Sequence, residues 1–136
     1  MTIKILLVDD DMDNIFLLEE LLHEENFEIF SAPNGWLGFL KAKEIQPNLI
    51  ISDLQMPVLN GYEFLRKIRT DQTLVNTPFI LLTSYQDCER RDRAFQLGAN
   101  AYLTKPVDFN VLLETITEQV RKKKLEKTVY ANCQLC

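Results

Sequence analysis

The chain has 136 residues, enough for one domain around one core, and a domain of this size buries roughly two-thirds of the surface its unfolded chain exposes. Its 46% hydrophobic content, with four Gly and five Pro, excludes a disordered, collagenous or repeat protein. A formal charge of -5 and a pI near 4.9 argue against direct nucleic-acid binding, and no apolar run is long enough for a membrane span or shaped as a signal peptide, so a soluble, cytoplasmic protein is expected.

Along the chain, Ile3-Lys4-Ile5-Leu6-Leu7-Val8 is a nearly all-apolar run halted by Asp9-Asp10-Asp11, the pattern of a strand buried on both faces. From Asp13, Ile15, Leu18 and Leu22 recur at helical spacing among surface glutamates. Phe27 to Ala32 reads as a second strand, and Pro33-Asn34-Gly35 separates it from a helix over Trp36 to Ile45. Pro47-Asn48 opens the third strand, Leu49 to Asp53, and a turn-rich segment from Met56 to Gly61 leads to a helix over Tyr62 to Arg69. A fourth strand spans Pro78 to Thr83, a charged helix runs from Asp87 to Leu97 and stops at Gly98, and Ala101-Tyr102-Leu103 is a short fifth strand. Asp108 is placed to cap a last helix whose apolar stripe is Phe109, Leu112, Ile116 and Val120. Strict alternation of five strands and five helices predicts an α/β fold, a three-layer open parallel sheet with helices on both faces. The run Arg121-Lys122-Lys123-Lys124 suits a helix C-terminus, where the macrodipole favours cations. Residues 1–125 are expected to form the domain and 126–136 a tail or linker.

Cys88, Cys133 and Cys136 cannot all pair within one chain, which fits a reducing compartment. The spacing of Cys133 and Cys136 is half of a metal site, but there is no second pair and His23 is the only histidine.

Ligands of open parallel sheets sit beyond the carboxyl ends of the strands. The first strand ends in Asp9 and Asp10, the third in Asp53, the fourth in Thr83 and Ser84, and the fifth leads through Thr104 to Lys105-Pro106. Any one of these acids taken alone is most simply a helix cap or turn former, but the ordered set is more than caps would produce. Two carboxylates about 4 Å apart repel by roughly 1 kcal/mol in water and about 4 kcal/mol at an effective dielectric of 20, so three call for compensating cations. Lys105 and a hard divalent ion would supply them, and an all-oxygen donor set suits Mg2+, with Mn2+ as a substitute.

The stretches Ile5-Leu6-Leu7-Val8-Asp9-Asp10-Asp11, Ser52-Asp53-Leu54-Gln55-Met56-Pro57, Asn60-Gly61, Leu82-Thr83-Ser84, Gly98-Ala99 and Tyr102-Leu103-Thr104-Lys105-Pro106 resemble the receiver domain of two-component response regulators, over residues 1 to about 125. The resemblance implies a flavodoxin-like sheet of strand order 2-1-3-4-5, the order the receiver fold is known for. It implies that Asp53 accepts a phosphoryl group from a sensor histidine kinase or a histidine phosphotransfer protein, with Thr83 and Lys105 assisting. Asp10, Asp53 and the backbone carbonyl of Gln55 would hold Mg2+, with Asp9 acting mainly through bound water. Thr83 and Tyr102 would form the switch that reshapes the surface of the fourth helix, fifth strand and fifth helix, for a protein output partner or a homodimer. Gln55 and Tyr85 would tune dephosphorylation, and the Lys105–Pro106 peptide would be cis. Partners would meet two surfaces, the phosphodonor near Asn14, Leu17 and Pro106 and the output partner near Arg91, Phe95 and Tyr102. A metal-dependent phosphatase would want a second acid where Gln55 stands, and a receiver-like module that never takes phosphate would not need the full set of site residues. Whether the chain stands alone or belongs to a larger signalling protein is open at the level of sequence.

Overall fold

The computed structural model describes residues 2–23 and 25–125. The expected tail, with Cys133 and Cys136, lies outside the described residues. Strands and helices alternate as β1 Ile3–Val8, α1 Met12–His23, β2 Phe27–Ala32, α2 Gly35–Ile45, β3 Leu49–Ser52, α3 Gly61–Thr70, β4 Phe79–Thr83, α4 Cys88–Gln96, β5 Ala101–Thr104 and α5 Phe109–Leu125. The strands pair in parallel in the order β2-β1-β3-β4-β5, as the resemblance implied. Because the chain leaves β1 for the β2 edge and then returns to β3 on the other side, a crevice opens at the carboxyl ends of β1 and β3.

Successive strand residues point to opposite faces, so each central strand feeds two cores. Leu6, Val8, Ile50, Phe79 and Leu81 pack with Ala42 of α2, Phe64, Leu65 and Ile68 of α3 and Ala94 of α4. Ile5, Leu7, Leu49, Ile51, Ile80 and Leu82 pack on the other side with Leu22 of α1 and with Leu112 and Ile116 of α5. Every residue of β3 and β4 is buried, which is why their sequences are apolar without alternation. The edge rings of Phe64 and Phe79, 5.3 Å apart, seat α3 on β4.

Capping moves several expected helix ends by a residue. Asn34 accepts a hydrogen bond from the Leu37 N–H and starts α2 at Gly35, and Asn60 forms a reciprocal capping box with Glu63 that starts α3 at Gly61. Asp87 caps α4 instead of belonging to it, and Asp108 accepts from the Asn110 N–H as expected of the cap of α5. That last helix continues beyond Val120 to Leu125, through the basic run that its C-terminal dipole favours.

The amino-terminal edge of the sheet is tied by one side chain. Arg69 donates to the carbonyls of Gly98 (3.0 and 2.8 Å), Val75 (3.2 Å) and Thr77 (2.7 Å) and to Asn100 Oδ1 (2.8 Å). Burial among these neutral acceptors pulls its guanidinium down to about 10. The staple joins the end of α3 to the loops that precede β4 and β5.

At the opposite edge, Gly61 lets α3 begin directly against the end of β3. A Cβ there would meet the Asp53 carbonyl oxygen at 2.6 Å, Leu54 Cα at 2.8 Å and Leu81 Cδ2 at 2.9 Å. Two of these atoms are backbone and cannot step aside, so Gly61→Ala is expected to destabilise the fold by about 1–3 kcal/mol, measured by urea denaturation. An unchanged midpoint would contradict this packing.

Candidate functional site

Strand register brings the site together. Val8 lies opposite Ser52, Ser52 opposite Leu81 and Thr83 opposite Thr104, so β1 and β3 end level with each other while β4 and β5 end together two residues further on. Ladder hydrogen bonds continue one residue past the strands: Asp9 N–H to the Ala32 carbonyl (3.2 Å), Asp53 N–H to Val8 (2.9 Å) and Lys105 N–H to Thr83 (2.7 Å). The backbones of the expected site residues are thereby fixed as firmly as the sheet itself.

The Asp9, Asp10 and Asp53 carboxylates each offer an oxygen within 4.8 Å of the others, with Asp9 buried, Asp53 partly buried and Asp10 exposed. Lys105 reaches in from the end of β5, its Nζ 3.4 Å from Asp53 Oδ1 and 3.5 Å from Asp9 Oδ2, and its peptide bond to Pro106 is cis as expected. These separations are ionic contacts rather than tight hydrogen bonds. Asp9 is further held by the Asp11 N–H (3.0 Å) and the Asn14 side-chain amide (3.4 Å). Burial pushes the Asp53 carboxyl above its ordinary range; the positive charge of Lys105 opposes that rise and the negative charge of Asp9 adds to it. Three carboxylates against one lysine leave excess negative charge facing oxygen donors only, a set that fits a hard divalent cation such as Mg2+.

Thr83 is buried at the end of β4, and its Oγ1 accepts a hydrogen bond from the Tyr85 N–H at 3.2 Å. Tyr102 is buried too, and its hydroxyl donates to the Tyr85 carbonyl at 2.8 Å; burial pushes that phenol up to about 12, so it stays a donor at neutral pH. Gln55 is exposed in the turn after β3, and Tyr85 is half-buried against the core beneath α3 and α4.

Some contributors carried little sequence signal. Ser52, fully buried, turns its hydroxyl back to the carbonyl of Asp53 at 2.8 Å. Val58 has φ 69°, a left-handed conformation strained for a β-branched residue, in a turn closed by the Leu59 N–H on the Pro57 carbonyl at 2.7 Å. Asn14 was readable as a surface residue, and its contact with Asp9 follows only once α1 is seen to start beside β1. Phe95, placed by the sequence reading at the output surface with simple core packing as an equal alternative, is half-buried against the core.

Since the folded state raises the Asp53 pKa above its unfolded value, protonation favours folding and the ionised form opposes it at neutral pH. Asp53→Asn is therefore expected to melt higher than the wild type at pH 7 without divalent cations. The advantage should shrink as pH falls through the raised pKa, and a variant less stable than wild type at pH 7 would contradict the electrostatic assignment.

Comparison with known proteins agrees with this architecture. A family model described as the response regulator receiver domain matches residues 5–117. Protein PilH of Pseudomonas aeruginosa is 33% identical over 113 residues, 83% of this chain and 93% of its own length. The probable transcriptional regulator ycf29 of Pyropia yezoensis is 33% identical over 132 residues, 97% of this chain and 60% of its own length, and the match to response regulator PleD of Caulobacter vibrioides covers 27% of that protein. Among solved structures, chemotaxis protein CheY4 of Vibrio cholerae superimposes with a TM-score of 0.82 at 30% identity, covering 87% of this chain and 98% of that one. A CheY-like receiver domain protein of Methanospirillum hungatei reaches 0.86 at 29% identity, covering 93% and 99%. The family match runs from β1 into α5 and takes in both the acidic strand ends and Lys105, so the chain belongs to the receiver domains of response regulators.

Proposed function

We propose that the chain is a phosphorylation-dependent signalling switch in which Asp53 accepts a phosphoryl group from the phosphohistidine of a sensor histidine kinase or a histidine phosphotransfer protein. The observation that carries this reading is the gathering of the Asp9, Asp10 and Asp53 carboxylates at the sheet's switch point, with Lys105 in contact with Asp9 and Asp53. In the transfer an Asp53 carboxylate oxygen bonds to phosphorus as the phosphorus–nitrogen bond to the donor histidine breaks, and the imidazole nitrogen keeps the electron pair. Lys105 stands beside the accepting carboxylate, where charge gathers on the phosphoryl oxygens. Asp10, Asp53 and the Gln55 carbonyl would hold Mg2+ directly and Asp9 mainly through bound water; Mn2+ suits the same donors. When bound, the ion supplies positive charge opposite the transferring oxygens. The chain catalyses only its own phosphorylation and dephosphorylation in this reading, and Gln55 stands where a phosphatase would want a second acid.

The switch would pass through Thr83 and Tyr102. A phosphoryl oxygen beside Thr83 would draw its hydroxyl away from the Tyr85 N–H, and Tyr102, already buried, would change rotamer toward the space left. The surface altered would be that of α4, β5 and α5, led by Arg91, Phe95 and Tyr102, for an output protein or a second copy. The phosphodonor would dock near Asn14, Leu17 and Pro106, a reading supported by the exposure of Leu17 (57%) and Phe16 (64%) on α1. Cys88 is a free, exposed thiol, which suits the reducing cytoplasm. No helix among the described residues is long and apolar enough to cross a membrane.

Incubation with a small phosphodonor and Mg2+ is expected to add one phosphoryl mass to the wild type and none to Asp53→Asn, read by intact-mass spectrometry. Equal labelling of both would overturn the assignment. Tyr85 brings neither a carboxylate nor an amide to orient an attacking water, and Gln55 lies two residues beyond the acceptor. We expect the phosphoprotein to decay about tenfold more slowly than the Gln55→Asn/Tyr85→Glu variant, a ratio worth about 1.4 kcal/mol of barrier. Time courses after donor removal check this, and equal or slower decay of the variant would refute it.

A further inference from the structure

Tyr85 holds three groups of the site with three parts of itself. Its N–H is on the Thr83 hydroxyl oxygen, its carbonyl accepts from the Tyr102 hydroxyl, and its ring stacks on Arg90, whose guanidinium carbon lies 3.9 Å from the ring centroid. Arg90 is itself immobilised. Asp87 Oδ1 accepts from its Nη1 at 2.7 Å while Asp87 Oδ2 accepts from its backbone N–H at 3.2 Å, and the Arg90 carbonyl accepts from the Tyr62 hydroxyl at 3.1 Å. A cation over the ring at this distance attracts its face, and a guanidinium already held by a carboxylate loses little further freedom in doing so.

Resting on the phosphoacceptor reading above, we infer that Arg90 is a positioning residue for the phosphoryl chemistry: through the Tyr85 ring it holds the Tyr85 N–H on Thr83 and so opposes delivery of the Thr83 hydroxyl to the phosphoryl group. In the switch proposed above, the Thr83 oxygen leaves the Tyr85 N–H as its hydroxyl turns to the phosphoryl group at Asp53. Whatever stabilises the resting position of Tyr85 must then be overcome when the site is occupied, and occupation must in turn loosen the stack. This linkage is a matter of differential stability of two states, so weakening the stack tightens binding at the site by up to the factor that the stack contributes to the resting state.

The test uses fluoroberyllate, a phosphoryl analogue that binds the acceptor carboxylate at equilibrium, titrated onto the Mg2+-loaded protein with fluorescence or calorimetric detection. Arg90→Ala is expected to bind it about two- to fivefold more tightly than wild type, the factor an exposed cation–π contact is worth. Arg90→Lys, which keeps the charge but not the planar stack, should fall between the two. In a Tyr85→Ala background Arg90→Ala should have no further effect, because the ring through which it acts is gone. Arg93 contacts the Tyr62 ring from the same helix, at 5.1 Å, and Arg93→Ala should leave the affinity at the wild-type value. If Arg93→Ala tightens binding as much, or if Arg90→Ala has the same effect with and without Tyr85, α4 has merely loosened and the positioning role is overturned. Saturable binding that Arg90→Ala leaves unchanged or weakens overturns that role alone. A wild type with no saturable binding, matching Asp53→Asn, overturns the phosphoacceptor reading together with it.

Discussion

The structure depends on a repulsion that the sheet is strong enough to hold. The Asp9, Asp10 and Asp53 carboxylates each offer an oxygen within 4.8 Å of the others, so their like charges oppose the fold, and Lys105 offsets part of that charge through its contacts with Asp9 and Asp53. The opposing force is the burial of β3 and β4 on both faces and the parallel register that continues one residue into Asp9, Asp53 and Lys105. Neither the acids nor the lysine could choose this arrangement in an unfolded chain. An apolar core far larger than the site therefore maintains a cluster that is poised for a cation and for a transferring phosphoryl group.

The two edges of the sheet are built differently for the same reason. At the amino edge, Arg69 ties three segments with hydrogen bonds to neutral acceptors, and nothing there asks for movement. At the carboxyl edge the side-chain ties around Tyr85 are one hydrogen bond on the Thr83 hydroxyl oxygen, one from the Tyr102 hydroxyl and the contact of its ring with Arg90. Val58 adds local strain in the turn between Asp53 and Gly61. In the proposed switch, a rigid base beneath such a rim would let a charge placed at Asp53 be felt at α4 without unfolding the domain.

Most of the fold was legible because periodicity survives without tertiary knowledge. The all-apolar runs from Ile3, Leu49 and Pro78 announced strands buried on both faces, and the stripes of Ile15 and Leu22 in α1 and Leu112 and Ile116 in α5 are buried as their spacing required. The acids and Lys105 were legible because they stand at strand ends in a fixed order. What stayed hidden depends on direction rather than type. Gln119 is buried although its neighbours in the basic last turns read as solvated, and Ser52 looked like any strand serine before its hydroxyl was seen turning to Asp53. Arg90 belonged to a charged helix in which Arg90, Arg91 and Arg93 read alike, and only the positions of Tyr85 and Asp87 separate it from the others.

Charge is distributed along the chain in a way that bears on who can deliver phosphate. Nine of the 20 acidic residues lie within the first 28 positions, from Asp9 to Glu28, against a single basic residue, Lys4. Four of them, Asp9, Asp10, Asp11 and Asp13, stand at the carboxyl end of β1 and the start of α1, on the side of Asp53, whereas Glu28 pairs with Lys4 at the amino end of the sheet, so the approach to Asp53 past the start of α1 carries a negative field. Such a field concentrates cations and resists a free anion, with a reach near 10 Å at moderate ionic strength. In the proposed transfer the donor carries its own phosphoryl charge into that field, and charge attraction to this face cannot supply its affinity unless the donor is basic around the phosphohistidine. The exposed apolar side chains of Phe16 and Leu17 supply the other source, since burial of apolar area does not weaken with the sign of the partner's charge. Recognition by apolar contact on α1 and selection by charge at the strand ends would thus divide the work: the first brings the donor protein, and the second admits its phosphoryl group only when Lys105 and a bound cation have answered the carboxylates.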